Sequence, residues 1–140
     1  MADILFRGTA PALVTPFTAD DQIDEYNLRR LVDRQIDGGV NALVVLGTTG
    51  ENATIWPQER FKVVEIVLDH TNGRVPVVVG TGNNSTSESI VFSKEAASQG
   101  ADGLLVVGPY YNKPTQDGFV AHVAAIADAT DCPIILYNVP

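Results

Sequence analysis

Basic residues are scarce in this chain: nine lysines and arginines stand against 17 aspartates and glutamates, a net charge of −8 over 140 residues. A protein that neutralises phosphates needs a basic stripe, so this balance argues against a nucleic-acid partner. Cysteine is scarcer still. Cys132 stands alone, which excludes an intramolecular disulfide, and with only two histidines, His70 and His122, it makes a poor zinc set. No metal is expected. No apolar run approaches the roughly 20 residues of a membrane span, and the opening Met-Ala-Asp-Ile-Leu-Phe-Arg-Gly lacks a basic stretch followed by a long apolar one. The expectation is a soluble, cytoplasmic protein with no membrane partner. What is abundant is core: 45% hydrophobic residues with 19% charged ones exclude disorder and low complexity.

Those apolar residues come in short runs at Ala12–Thr15, Ala42–Leu46, Val75–Val79, Leu104–Val107 and Ile134–Tyr137. The runs are continuous and β-branched rather than alternating, the pattern of strands buried on both faces. Between them the spacing turns helical. Asp24 precedes a stripe of Leu28, Leu31, Val32 and Ile36 that ends at Gly38-Gly39. Pro57 suits a first helical position ahead of Phe61, Val64, Val67 and Leu68, with Gly73 as the stop. Ser85-Thr86-Ser87-Glu88 has capping-box spacing, and that helix ends at Gly100. A fourth helix runs from about Thr115 to Asp128, with Phe119, Val123 and Ile126 inward. Gly39–Gly47 and Gly100–Gly108 repeat one pattern: a helix-ending glycine, a polar link, a buried strand and a glycine at the strand's end. The spacing between the two is that of two βα modules. No linker interrupts the series, so residues 1–140 read as (βα)4 plus a fifth strand. The count fits a five-stranded doubly wound sheet or about half of a (β/α)8 barrel. Both place chemistry at the C-terminal ends of the strands.

Those ends read Thr15-Pro16-Phe17, Gly47-Thr48-Thr49-Gly50-Glu51, Gly80-Thr81-Gly82-Asn83-Asn84, Gly108-Pro109-Tyr110-Tyr111-Asn112-Lys113-Pro114 and Tyr137. Glycines on both sides of two hydroxyls allow a tight turn whose amides and threonines converge on a small carboxylate or phosphate. The same segment also serves as a plain strand-to-helix connection. Neither glycine-rich turn has the dinucleotide or P-loop fingerprint, and no cofactor is expected. Tyr110, Tyr111 and Tyr137 are three of four tyrosines, all at predicted strand ends. A phenol passes protons only within a polarising hydrogen-bond network, and otherwise packs as an amphipathic ring. Trp56 is expected to pack beneath the Gly47–Glu51 turn, and His122 has no partner nearby in sequence.

Taken together, Thr15-Pro16-Phe17, Gly47–Glu51, Gly108–Pro114 and Tyr137-Asn138-Val139-Pro140 resemble the dihydrodipicolinate synthase family of pyruvate-dependent class I aldolases, which also holds N-acetylneuraminate lyase. The resemblance implies an α/β chain that is the N-terminal (βα)4-plus-strand portion of a (β/α)8 TIM barrel. The rest of the barrel and a C-terminal helical domain would lie outside these residues. It implies lysine-biosynthetic chemistry, in which pyruvate forms a Schiff base with a lysine, becomes an enamine and attacks aspartate semialdehyde. Tyr137 would donate and accept the proton beside the Schiff base. Thr48 would pass it on, and Tyr111 would reach across a dimer interface to complete the relay in a homo-oligomer, a dimer of dimers. Thr49 would bind the pyruvate carboxylate. Ala53, Asn84, Glu88 and Tyr110 would form a site for L-lysine as a feedback effector, with Pro57 and Arg60 where some members place histidines.

The same resemblance places the Schiff-base lysine, and an arginine for the semialdehyde carboxylate, beyond Pro140. Lys62, Lys94 and Lys113 do not replace it, so these 140 residues alone are expected to be inactive. The Thr48-Thr49 pair favours the synthase over the neuraminate lyases, where Ser-Thr is usual. Three readings stay beside it: another pyruvate aldolase acting on a neuraminate or keto-deoxy sugar acid, a non-catalytic flavodoxin-like module, and a self-associating half-barrel. A receiver-type module would need acidic residues where Thr15-Pro16 and Gly80-Thr81 stand.

Overall fold

Local signals set each helix before any long-range packing. The computed structural model describes residues 4–139, so Met1-Ala2-Asp3 and Pro140, the last residue of the quoted run Tyr137–Pro140, lie outside the described residues. Helix α1 spans Glu25–Asp37, and the Asp24 carboxylate caps it by accepting from the Asn27 backbone N–H at 3.0 Å. Helix α2, Pro57–Thr71, starts on its proline, with Glu59 accepting from the Trp56 N–H at 3.1 Å. It closes at Asn72 in the left-handed conformation, one residue before the expected Gly73. Helix α3, Thr86–Gln99, makes only half of the expected capping box. The Ser85 hydroxyl accepts from the Glu88 N–H, but the Ser85 N–H donates to Asn83 Oδ1 at 2.8 Å instead of to Glu88. This leaves the Glu88 carboxylate exposed. Gly100 ends α3 with φ +99, a conformation that any side chain would strain. Helix α4, Gln116–Ala127, is capped by the Thr115 hydroxyl.

Four strands form one parallel sheet in chain order: β1 Leu43–Val45, β2 Val77–Gly80, β3 Gly103–Val107 and β4 Ile134–Tyr137. Val45 pairs with Val79, Val79 with Leu104, and Leu104 with Ile134. Alternation then splits the faces. Leu43, Val45, Val77, Val79, Leu104 and Val106 join helix residues Leu28, Val32, Val63, Val67, Ala96 and Ile126 in one core. On the other face Val14 and Ile135 are exposed and Val44 and Leu105 half-buried. The strand expected at Ala12–Thr15 is reduced to a single parallel bridge, Ala12 to Val44, flanked by Leu13 N–H to Val44 O (2.8 Å) and Val44 N–H to Pro11 O (3.0 Å). Pro11 and Pro16 bracket the segment and cannot donate, which limits the ladder. Strand β1 also stops early, because Leu46 adopts φ 56. Among the described residues no helix is long and apolar enough to cross a membrane.

Candidate active site

Because all four strands run the same way, their C-terminal loops gather at one end of the sheet. After β1, Gly47 is extended and Thr48–Gly50 forms a single 3-10 turn, closed by Gly50 N–H to Gly47 O and Glu51 N–H to Thr48 O, both 3.0 Å. The side chains of Thr48 and Thr49 stand exposed on this turn while Gly47 and Gly50 are buried beneath it. The turn is fastened at two points. The buried Thr15 hydroxyl donates to the Gly50 carbonyl at 2.7 Å. Arg60, only 4% exposed, donates to the Asn52 carbonyl at 2.7 Å and to the Gly80 carbonyl at 2.8 Å.

The Arg60 guanidinium is a buried cation without a carboxylate in hydrogen-bond contact. Its Cζ lies 4.2 Å from the centre of the Phe92 ring, and its Nε has no partner. Burial pulls its pKa down to about 10, while the charges of Tyr110 and Glu88 oppose that fall. Arginine at this depth is sustained by aligned carbonyl dipoles and the aromatic face.

The loop after β2 is equally tight. A side chain at Gly80 would run into the Leu46 carbonyl, and one at Gly82 into the Val107 backbone. Thr81 and Ser93 share a buried hydroxyl bond of 2.9 Å. The loop after β3 turns through two left-handed residues, Tyr111 at φ 68 and Lys113 at φ 47. Asn112 ties it to the β2 loop by donating to the Asn84 carbonyl at 2.9 Å. Tyr111 is 91% exposed, projecting away from its own chain. Tyr137 ends β4 half-buried, and its carbonyl accepts from the Gly108 N–H at 3.0 Å.

The structure therefore brings Thr48, Thr49, Tyr110, Tyr111 and Tyr137 to one end of the sheet. Ala53 and Glu88 line a cavity of about 270 Å³ together with Trp56, Arg60, Asn83 and Phe92. Asn84 and Tyr110 stand near it without lining it. Trp56 does not pack under the turn as expected: it is 74% exposed on the rim of this cavity. Arg60 and Thr15 are the residues that spacing missed. Arg60 falls on the stripe of Val64 and Val67, which would have flagged a buried cation on α2. A larger groove of about 840 Å³ lies at the opposite end of the sheet, among Lys62, Glu65, Asp69, Gln99 and Asp102. It holds mixed charges on an open surface, away from the strand ends.

A parallel sheet whose strands follow chain order, with all four helices packed in one core, has the arrangement of an α/β barrel rather than of a doubly wound sheet. Within that class, the chain belongs to the Dihydrodipicolinate synthetase family, whose profile matches residues 5–140. A relative from Salinibacter ruber, named 4-hydroxy-tetrahydrodipicolinate synthase, is 69% identical over 138 residues, covering 99% of this chain and 46% of its own length. One of the same name from Geobacter sulfurreducens is 54% identical over 136 residues, covering 97% and 47%. The fold superposes on dihydrodipicolinate synthase from Thermotoga maritima with a TM-score of 0.93 at 48% identity, over 98% of this chain and 46% of that one. A family member from E. coli K12, solved in complex with pyruvate, gives a TM-score of 0.95 at 38% identity over 98% and 46%. The chain spans about half the length of the curated relatives it matches.

Proposed function

We propose that this chain carries part of the active centre of a 4-hydroxy-tetrahydrodipicolinate synthase, forming the first half of a (β/α)8 barrel in a cytoplasmic, homo-oligomeric enzyme. The observation that carries the reading is the Gly47–Glu51 turn, with both threonines presented at the strand ends and both flanking glycines buried. Thr49 and the turn's amides receive the pyruvate carboxylate. A lysine amine attacks the pyruvate carbonyl and expels water to form an imine; loss of a methyl proton makes the enamine, whose carbon bonds to the aldehyde carbon of aspartate semialdehyde. Tyr137 donates and accepts protons at the imine, Thr48 passes them on, and Tyr111 extends the relay from a second copy of the chain. Its exposure at a left-handed position supports that reach.

The amine comes from outside these residues. Lys62 and Lys94 lie exposed on α2 and α3, and Lys113 lies exposed in the loop after β3, so none stands on a strand. Borohydride reduction in the presence of pyruvate, read by intact mass, tests this division of labour. The 140-residue chain is expected to stay unmodified. The same chain joined to the part of the Salinibacter ruber relative that it does not cover is expected to gain one reduced pyruvyl adduct and to consume aspartate semialdehyde. An adduct on the 140-residue chain overturns the assignment. Turnover of a sugar acid in place of the semialdehyde would move it to another aldolase.

The cavity beside Arg60 supports the L-lysine effector. Glu88 offers a carboxylate to an ammonium group and Arg60 a cation to a carboxylate, with Ala53 on its wall and Asn84 and Tyr110 beside it. Inhibition of the joined protein that Glu88→Gln abolishes is the expected result. A curve flat to millimolar lysine removes the effector.

A further inference from the structure

A three-residue 3-10 turn has poor hydrogen-bond geometry and little stability of its own, so contacts from outside decide where it sits. The turn bearing Thr48 and Thr49 has two bonds within itself and two anchors to the rest of the fold. The anchor on its underside is Thr15. Thr15 is 4% exposed, and its hydroxyl donates to the buried Gly50 carbonyl. A buried carbonyl left without a donor is costly, so the turn is held to this height.

The fit is close as well as bonded. A Cβ built on Gly50 would lie 3.2 Å from the Leu13 carbonyl and 3.4 Å from the Thr15 hydroxyl, so the turn rests directly on the 13–15 segment. That segment is itself immobilised by its two backbone bonds to Val44. Two residues downstream, Arg60 fixes the Asn52 carbonyl to the end of β2. Valine would match the shape and β-branched stiffness of threonine at position 15 and would suit a strand next to Leu13 and Val14. The hydroxyl is the one feature that valine would lack.

We propose that Thr15 is a positioning residue for the carboxylate-binding turn: by holding the Gly50 carbonyl it sets the aim of Thr49 and of the turn's amides. This rests on the pyruvate reading of the turn and adds to it a residue that touches no substrate. Displacing such a group by a fraction of an ångström weakens every contact it makes to a bound carboxylate.

The test compares Thr15→Val with Thr15→Ser in the chain joined to the uncovered part of the Salinibacter ruber relative. Hydrogen exchange followed by mass spectrometry should show peptides across residues 47–54 exchanging faster in Thr15→Val, with β2 and β3 unchanged and Thr15→Ser matching the parent. Steady-state kinetics should show the pyruvate KM rising about tenfold, the scale of one lost hydrogen bond, with the aspartate semialdehyde KM held and the pyruvate KM restored by serine. Parent-like exchange across 47–54 in Thr15→Val overturns the proposal, as does an equal shift in both KM values or failure of serine to rescue. If the parent itself takes no pyruvate, the functional reading fails, while the exchange result still decides whether Thr15 holds the turn.

Discussion

Tyr137, Thr48 and Thr49 divide one task among three hydroxyls. Replacing the phenol by Tyr137→Phe, or Thr48 by valine, in the joined protein should lower kcat by about 100-fold or more, since a positioned proton donor contributes on that scale. Thr49→Val should act chiefly on the pyruvate KM, because it removes binding made equally in ground and transition states. Steady-state kinetics separate the two effects. His122 is a residue of another kind. It is buried between α3 and α4, with one ring nitrogen 2.8 Å from the Thr86 hydroxyl and the other without a partner. Burial holds its pKa below the ordinary value of 6.5. The unfolded chain therefore binds the proton more readily, and stability present above pH 6.5 is lost as pH falls through that value. Urea unfolding from pH 7.5 to 5 should show this slope, and His122→Gln should flatten it. Neither the burial nor the Thr86 contact follows from sequence separation, because the partner is 36 residues away.

At the scale of elements, helix ends were the most legible feature. Asp24, Pro57, Ser85, Gly100 and Thr115 all stand where the caps require them, because a cap is a contact over three or four residues. Strands depend on neighbours, and there the expectation at Ala12–Thr15 met a segment with one bridge. The glycines at and just after the end of β2, Gly80 and Gly82, are set by backbone approach rather than by turn chemistry. Gly80→Ala should lose about 2 kcal/mol or more, measured by chemical denaturation, because the methyl would meet the Leu46 carbonyl with no side chain able to yield. Helices α1 and α2 are joined on their outer side by a charged ladder. Arg29 reaches Glu25 and Asp69, and Asp33 takes His70 and Arg74, both at 2.8–2.9 Å. Hydrogen bonds from His70 and then Arg74 hold the Asp33 carboxyl below its usual range. The ladder is at the surface, so salt screens it and the apolar stripe carries the helix pairing.

In the whole molecule, one face of the sheet is covered by helices and the other is open. Val14 and Ile135 are exposed on the open face, and Leu136, on the helix-covered face beside Val106, is 56% exposed because β4 forms one edge of the sheet. Uncovered apolar strands and a free edge pair readily with other chains. The 140-residue chain should therefore show concentration-dependent association in analytical ultracentrifugation. Leu136→Lys should shift it toward monomer, and joining the uncovered half of the relative should replace it with a defined assembly. A monomer at all concentrations would mean that the open face closes on itself.

By itself, the amino-acid sequence determined the βα rhythm, the helix ends, the family and the set of strand-end residues. All of these depend on local spacing and on motifs contiguous along the chain. Tertiary structure alone decided what holds the site: Thr15 under Gly50, Arg60 between Asn52 and Gly80, His122 against Thr86, Trp56 outward on a cavity rim. The bonds of Thr15 to Gly50, Arg60 to Gly80 and His122 to Thr86 join residues 20 to 36 positions apart, at buried or part-buried groups. Burial makes such bonds strong, and burial is a property of the assembled fold rather than of any segment.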